Sequence, residues 1–345
     1  MIKSVVNQKS RFEKEFKFYK VLGQNVNQES LFAKCNIPYY IQKVMEGYNS
    51  TIFAYGHTGA GKTFTMEGSK YNSQKGGSEN QYDGVIGNSV RFLYNKISQN
   101  TDPKLKYKVY MSYLQIYNEQ IFDLLNPSQF SNDSPFRNGL RIRQKNKEFV
   151  VENLSIFECP TVKDAFNLIN YGSSTRIVSM SKFNHVSSRS HSMLTIHLEI
   201  IDMSNPDDSI ISKFNLIDLA GSEKGSTSPV SPTQQKESID INKSLFYLRQ
   251  VITTLNQVQK GKPLYIPYRD SKLTSLLSGS LGGNSYCLMI ANIAPSLEFL
   301  EDNISTLNYS SKASIIKNNP EKNVDPKIAY INELKVTINR KKIQN

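Results

Sequence analysis

Five apolar runs of β type punctuate the chain: Thr51–Tyr55, Lys108–Tyr117, Met193–Ile201, Phe214–Leu219 and Tyr286–Ile293. Their lengths and their content of β-branched and aromatic residues predict buried strands rather than helices. The spacing becomes helical at Ile241, Leu245, Leu248, Ile252 and Leu255, whose steps of four, three, four and three place all five on one face. Strands alternating with helical patterns predict an α/β fold, a central mixed and mostly parallel sheet with helices on both faces. Three polar stretches, 69–83, 127–139 and 225–234, fit neither period and are expected as surface loops.

The pattern changes after Lys317. Asn318 to Pro326 is polar and bracketed by prolines, which disfavour helix on their N-terminal side. From Lys327 a helical pattern resumes, with Ile331, Leu334 and Ile338 at a/d-like steps. One and a half heptads fit a short tail helix as well as the start of a coiled coil.

At 345 residues, with 38% hydrophobic and 21% charged side chains, the chain can bury a core as one large domain or two ordinary ones. Lys and Arg number 42 against 30 Asp and Glu, and the resulting +12 calls for an acidic partner: nucleic acid, a membrane surface or an acidic protein. Residues 312–345 carry a net +5 of that excess. Cys35, Cys159 and Cys287 form no CxxC pair, which excludes a disulfide framework and a zinc site of ordinary spacing and suits a reducing compartment. The N-terminus lacks the apolar run of a signal peptide, and no stretch approaches the ~20 apolar residues of a membrane span. A cytosolic chain without membrane insertion is therefore expected. His57, His185, His191 and His197 have no carboxylate or Cys partners at metal spacing.

The chemistry concentrates at Gly56-His57-Thr58-Gly59-Ala60-Gly61-Lys62-Thr63, which fits GxxxxGK[ST] and directly follows an apolar strand. Such glycines let backbone N–H groups turn inward around a β-phosphate, a lysine here reaches the β/γ oxygens, and the Thr63 hydroxyl can ligate Mg²⁺. Asp218 ends another predicted strand, where open α/β sheets bind ligands, and Gly221 can offer a backbone N–H with no side chain in the way. Asn184 to His191 gathers hydroxyls, Arg189 and two histidines before a third strand.

Together these segments resemble the kinesin motor domain. The matching pieces are Phe16-Lys17-Phe18 with Gln28; Gly47-Tyr48-Asn49 before Ala54 to Thr63; Tyr113 to Glu119 with Asp123-Leu124-Leu125; Asn184 to His191; Asp218 to Glu223; Ile241 to Leu245; Ile266 to Thr274; and Leu281 to Asn284. The resemblance spans roughly residues 16–318 and implies a P-loop ATPase that moves along microtubules, of the plus-end-directed kind given where the linker lies. It implies ATP and Mg²⁺ as nucleotide and metal. It also implies Thr63 and Ser188 as metal-associated hydroxyls, Asp218 acting on the metal through water, and Ser187 and the backbone of Gly221 as γ-phosphate sensors. Arg189 and Glu223 resemble the salt bridge that closes the site, with Glu223 relaying a proton, and Phe64 stands where a ring packs against adenine.

The helix from about Lys236 to Asn256 resembles the element that sits on tubulin, and residues 236–272 hold seven basic side chains, Arg249 among them, against three acidic. The candidate microtubule contacts are Lys236, Lys243, Lys260, Lys262, Arg269 and Lys272, with Arg141, Arg143, Lys145 and Lys147 on an expected β-hairpin. The domains implied are a motor core over 1–316, a neck linker over 317–326 with Ile316 as anchor and Asn323 as latch, and the start of a neck helix over 327–345 through which a homodimer would form. The implied setting is the microtubule cytoskeleton of the cytoplasm.

The sequence departs from the family pattern at several points. Family members begin with a central strand followed by Arg-x-Arg-Pro, which clamps adenine; residues 1–18 look like the strands downstream of it, so an N-terminally incomplete core with unpaired backbone beside it is expected. Arg249 stands where a glycine is usual, Ser228 to Pro232 replaces a loop richer in Gly and basic residues, and Val85-Ile86-Gly87-Asn88 stands where Ile-Pro-Arg is common. Two other readings remain: a non-motile, kinesin-like microtubule-binding scaffold with impaired nucleotide cycling, and a P-loop NTPase acting on nucleic acid. The second is disfavoured by the lack of an aromatic and basic stacking platform.

Overall fold

The computed structural model describes residues 2–3, 14–69, 83–130, 138–145, 148–182, 189–204, 209–223 and 232–324. Its strands are β1 (Ile2–Lys3), β2 (Glu15–Phe16), β3 (Ser50–Tyr55), β4 (Leu105–Tyr117), β5 (Gln120–Asp123), β6 (Ile142–Lys145), β7 (Glu148–Val151), β8 (Phe157–Glu158), β9 (His191–Asp202), β10 (Ser209–Asp218) and β11 (Tyr286–Ala291). The helices are α1 (Gln28–Lys34), α2 (Ile37–Met45), α3 (Lys62–Glu67), α4 (Val85–Ser98), α5 (Val162–Lys182), α6 (Pro232–Gln259), α7 (Lys272–Leu276) and α8 (Leu300–Ala313).

All five predicted strands form, and they lie in one sheet in the order β11-β3-β10-β9-β4-β5, with β8 also on β4. The α/β class and the mixed sheet are as expected, but the mostly parallel pairing is corrected. Only β11, β3 and β10 run parallel; β10–β9, β9–β4, β4–β5 and β4–β8 are antiparallel. The reason lies in the links. β9 ends at Asp202 and β10 starts at Ser209, a connection far shorter than the dozen or more residues that a parallel crossover takes.

Both sheet faces are covered, so the central strand β3 is buried at every position. Alternation then divides its side chains. Ile52 and Ala54 face a cluster with Ile37, Ile41 and Val44 of α2 and Val90 and Leu93 of α4, while Phe53 and Tyr55 face Leu245, Leu248, Val251, Ile252 and Leu255 of α6. The helical face read from the sequence is thus buried from Leu245 to Leu255, and α6 extends past the expected Lys236–Asn256 at both ends. Truncating Leu248 to Ala would cost about 2–5 kcal/mol.

The expected loops hold in part: Gly68 bridges Asp83 at the neck of the first, Pro127–Phe130 opens the second as a 3-10 turn, and α6 begins at Pro232, inside the third. The expected hairpin forms as antiparallel β6 and β7, with Ile142 opposite Val151 and Lys145 opposite Glu148. At the N-terminus β1 pairs antiparallel with β2, and Lys14 donates to Asn308 Oδ1 of α8 at 2.8 Å. Among the described residues β11 pairs only with β3, and a cavity of about 900 Å³ runs beside it, lined by Phe18, Leu22, Cys287, Met289 and Leu307 among others. After α8 the chain turns back over the core as an extended segment, 316–324.

Candidate functional site

The site grows from the end of β3. Gly61, at φ 93°, turns the chain into α3 in a left-handed conformation that favours glycine, and Lys62 and Thr63 follow as the first helical residues. Lys62 is buried, and its ammonium donates to the His57 carbonyl at 2.9 Å. Burial lowers its pKa, opposed by the charges of Asp218 and Glu223. A buried ammonium with three protons and one carbonyl acceptor is suited to further anionic oxygens.

Asp218 ends β10 in parallel register with Ala54, so its buried carboxylate stands beside the start of the glycine loop. Its Oδ2 accepts from the Thr63 hydroxyl at 2.8 Å, whereas Oδ1 is buried with no partner. A hydroxyl and an orphaned carboxylate oxygen next to a phosphate loop are hard oxygen donors that fit Mg²⁺, directly or through water. The loop after β10 is fastened to the glycine loop, since Ser222 N–H donates to the Gly56 carbonyl at 3.0 Å. Gly221 is buried there, and a Cβ on it would collide with Thr58 Oγ1 and the Glu223 carboxylate.

Glu223 reaches across to the glycine loop. Its carboxylate accepts from Thr58 N–H at 2.8 Å and from the Thr58 hydroxyl at 2.5 Å. The loop's donors therefore already hold an anion. Both oxygens of the Glu223 carboxylate are engaged by Thr58 in this arrangement. Arg189 is half-buried just before β9, and Ser187 and Ser188 lie outside the described residues.

Two residues of this centre carry no local sequence signal for their roles. Arg176, 4% exposed on α5, donates to Glu67 Oε1 at 2.8 Å, to Ser192 Oγ at 3.0 Å and to Asp218 Oδ2 at 3.2 and 3.3 Å. Burial alone would lower its pKa, but Asp218 and Glu67 outweigh that and raise it. It neutralises two carboxylates and leaves Asp218 Oδ1 as the oxygen to present. His191 opens β9; its Nδ1 accepts from Ala220 N–H at 2.9 Å, and Nε2 lies 2.7 Å from Ser244 Oγ on α6. A backbone N–H only donates, so Nδ1 is bare and Nε2 carries the proton given to Ser244. Burial, then the charges of Arg176 and Lys62, push its pKa down to about 3.

Around the glycine loop, His57 stacks on Phe299 with centroids 4.4 Å apart, and its Nδ1–H donates to the Thr58 carbonyl at 2.6 Å. Phe64 is exposed, its carbonyl accepts from Gln28 at 2.6 Å, and with Ala60 and Gly61 it borders the cavity beside β11.

The basic candidates fall into two joined groups. Arg141, Arg143 and Lys145 are exposed on or beside the hairpin, with Arg143 paired to Glu152 at 2.6 Å; Lys147 lies outside the described residues. Arg269 donates to Gln144 Oε1 at 2.5 Å and so ties the turn 268–270 to that hairpin. Lys272 opens α7, its N–H donating to Glu119 Oε2 at 2.8 Å. Lys243, Lys260 and Lys262 are exposed on α6 and the turn after it; Lys236 lies on α6, and its side chain is outside the described set. Arg249 turns inward instead, so one charge of the expected basic stretch is absent from its surface.

The extended segment is fastened to the core at three points. Ile316 packs against the α6-side cluster. Asn318 bonds Gly282 N–H and the Ser280 and Ser285 carbonyls at 2.6–2.8 Å. Asn323 donates from its backbone to the Gly47 carbonyl at 2.9 Å, and its side chain donates to Asn49 Oδ1 and the Ile211 carbonyl, each at 2.9 Å. Residues 325–345, with Ile331, Leu334 and Ile338, lie outside the described residues.

The chain matches known proteins over most of its length. The family model described as the kinesin motor domain matches residues 2–316. The chain is 40% identical over 319 residues to kinesin-like protein KIN-12D of Arabidopsis thaliana, covering 91% of this chain and 11% of that protein. It is 39% identical over 325 residues to chromosome-associated kinesin KIF4A of Homo sapiens, covering 94% of this chain and 25% of that protein. The chain thus spans a quarter or less of the length of these relatives. A solved structure of a fast kinesin, described in terms of ATPase mechanism and interactions with microtubules, matches with TM-score 0.80 and 32% identity over 93% of this chain and 85% of that one.

Proposed function

The chain belongs to the kinesin motor-domain family, and from that premise we propose that it hydrolyses ATP and couples the cycle to microtubule binding and movement. The observation that carries this reading is the pairing of Thr58 with Glu223 beside the buried, half-satisfied carboxylate of Asp218.

Lys62 and the backbone of the glycine loop bind and orient the phosphates, and Gly221 N–H reads the terminal one. Thr63 and Asp218, with Ser188, would hold Mg²⁺, which supplies charge neutralisation on the phosphate oxygens. Because Glu223 sits on the donors that an incoming phosphate needs, nucleotide binding displaces its carboxylate. Freed, Glu223 can pair with Arg189 and take a proton from the attacking water, while Ser187 senses the terminal phosphate together with Gly221. Positioning and charge stabilisation suffice for this chemistry. Phe64 flanks the adenine. The joined basic groups on α6, the 268–272 turn and the hairpin meet the acidic tubulin surface, and docking of 317–324 on the core provides a stroke toward the plus end.

The test combines turnover with co-sedimentation. ATPase activity stimulated by microtubules, with tight pelleting in a non-hydrolysable ATP analogue and release in ADP, is expected. Pelleting indifferent to nucleotide would instead mark a non-motile scaffold.

A further inference from the structure

Arg249 stands at a junction of four elements. Its Nε donates to the Tyr55 hydroxyl at 3.1 Å, at the end of β3 and one residue before the glycine loop. Its Nη2 donates to the Ser222 carbonyl, in the loop whose Gly221 N–H is assigned to the terminal phosphate. Its guanidinium lies 4.7 Å from the Tyr309 ring centroid on α8, and the Tyr55 and Tyr309 rings are themselves 6.4 Å apart. The residue belongs to α6, so one side chain joins that helix to the phosphate loop, the phosphate-reading loop and the helix that leads into 316–324. A glycine, which the family resemblance puts at this position, could make none of these bonds.

The neighbouring contacts make the junction directional. Ser222 N–H is held by the Gly56 carbonyl at 3.0 Å, so a shift of Gly221 and Ser222 on phosphate binding moves the carbonyl that Arg249 grips. From the other side, Asn256 of α6 donates to the Lys312 carbonyl at 2.8 Å, and Gln259 to the Lys317 carbonyl at 3.3 Å. Helix α6 is therefore bonded to both ends of the route between the phosphate-reading loop and the docked segment. His191 supplies a second tie, from Ala220 N–H to Ser244. The fork of the guanidinium suits this geometry, since its fixed donors serve two acceptors while its face lies on an aromatic ring.

We propose that Arg249 is a positioning residue that makes helix α6 follow the loop Leu219–Glu223, so that nucleotide state reaches the microtubule-facing helix and the docked segment through this side chain, with His191 as the lesser tie. The proposal rests on the reading of α6 and of Gly221 given under the proposed function. Arg249 touches no substrate atom, and its loss is expected to spare nucleotide affinity.

Two readouts on the full chain separate the possibilities. Amide hydrogen exchange across 243–259, with and without a non-hydrolysable ATP analogue and Mg²⁺, is expected to slow at least about threefold with nucleotide in the unmodified chain and to lose that response in Arg249→Ala. Analogue affinity should stay within about twofold, and Arg249→Lys, which keeps the charge over Tyr309 and one donor, should retain part of the response. In the second readout, Arg249→Ala should lower microtubule-stimulated kcat at least about fivefold while the microtubule-free rate holds. A nucleotide response in α6 that survives Arg249→Ala, or that is absent from the unmodified chain, overturns the proposal. If microtubules fail to stimulate the unmodified chain, the functional reading falls, and the exchange experiment still decides the role of Arg249.

Discussion

Lys62, Glu223 and Asp218 divide the work of the site by what each side chain touches. Lys62→Ala removes the only buried cation on the glycine loop, and nucleotide binding and turnover are expected to be lost in a fluorescent-nucleotide titration and a phosphate-release assay. Glu223→Ala frees the donors of Thr58, so binding should be retained or tightened while turnover falls by about 10²–10⁴, the usual contribution of a positioned acid or base. Undiminished turnover in that variant would remove Glu223 from the mechanism. Arg176 acts differently. Replacing it with Met leaves Asp218 and Glu67 as neighbouring carboxylates in a buried site, at a cost of about 3–5 kcal/mol readable by denaturant unfolding. The glycine loop and Asp218 were legible in the sequence because each sits in a local pattern at a strand end. Arg176 was not, because its carboxylate partners at 67 and 218 are distant along the chain and meet it only once α5 has packed on the sheet.

Among the elements, β9 carries two neutral histidines, buried His191 with its pKa pushed down to about 3 and half-buried His197 to about 4, in each case chiefly by loss of solvent around the ring. In the unfolded chain both take up a proton near pH 6.5, while in the folded chain they resist it. The unfolded state therefore binds more protons between about pH 6.5 and 4, and stability falls as pH drops through that window, by at most about 1.4 kcal/mol per pH unit for each histidine. His197→Gln should make the acid side of a stability–pH curve shallower, and an unchanged slope would contradict this origin. The docked segment gives a second test. Asn323 holds four hydrogen bonds, so Asn323→Ala should release a spin label at Val324 and raise its mobility. Strand positions and the α6 face were readable from periodicity, whereas strand direction was not, because an apolar run looks the same either way. The short link from Asp202 to Ser209 held that information.

At the scale of the molecule, the net charge of +12 acquires a location. Exposed cations of the 141–145 hairpin and of the 268–272 turn are joined through Arg269 and Gln144, and Lys243, Lys260 and Lys262 extend the basic character along α6. A surface of this kind attracts an acidic filament by long-range charge, so affinity should weaken as salt shortens the screening length. The inward turn of Arg249 takes one charge from that surface and places it between nucleotide loop and helix. The sheet, meanwhile, presents β11 with one partner among the described residues, beside a cavity that reaches Phe64 and the glycine loop. The coupling of phosphate site, basic face and docked segment is the central claim, and steady-state ATP turnover titrated with microtubules tests it most directly. A rate that rises at least about tenfold and saturates, and is abolished by Lys62→Ala, is predicted; a rate indifferent to microtubules would contradict it.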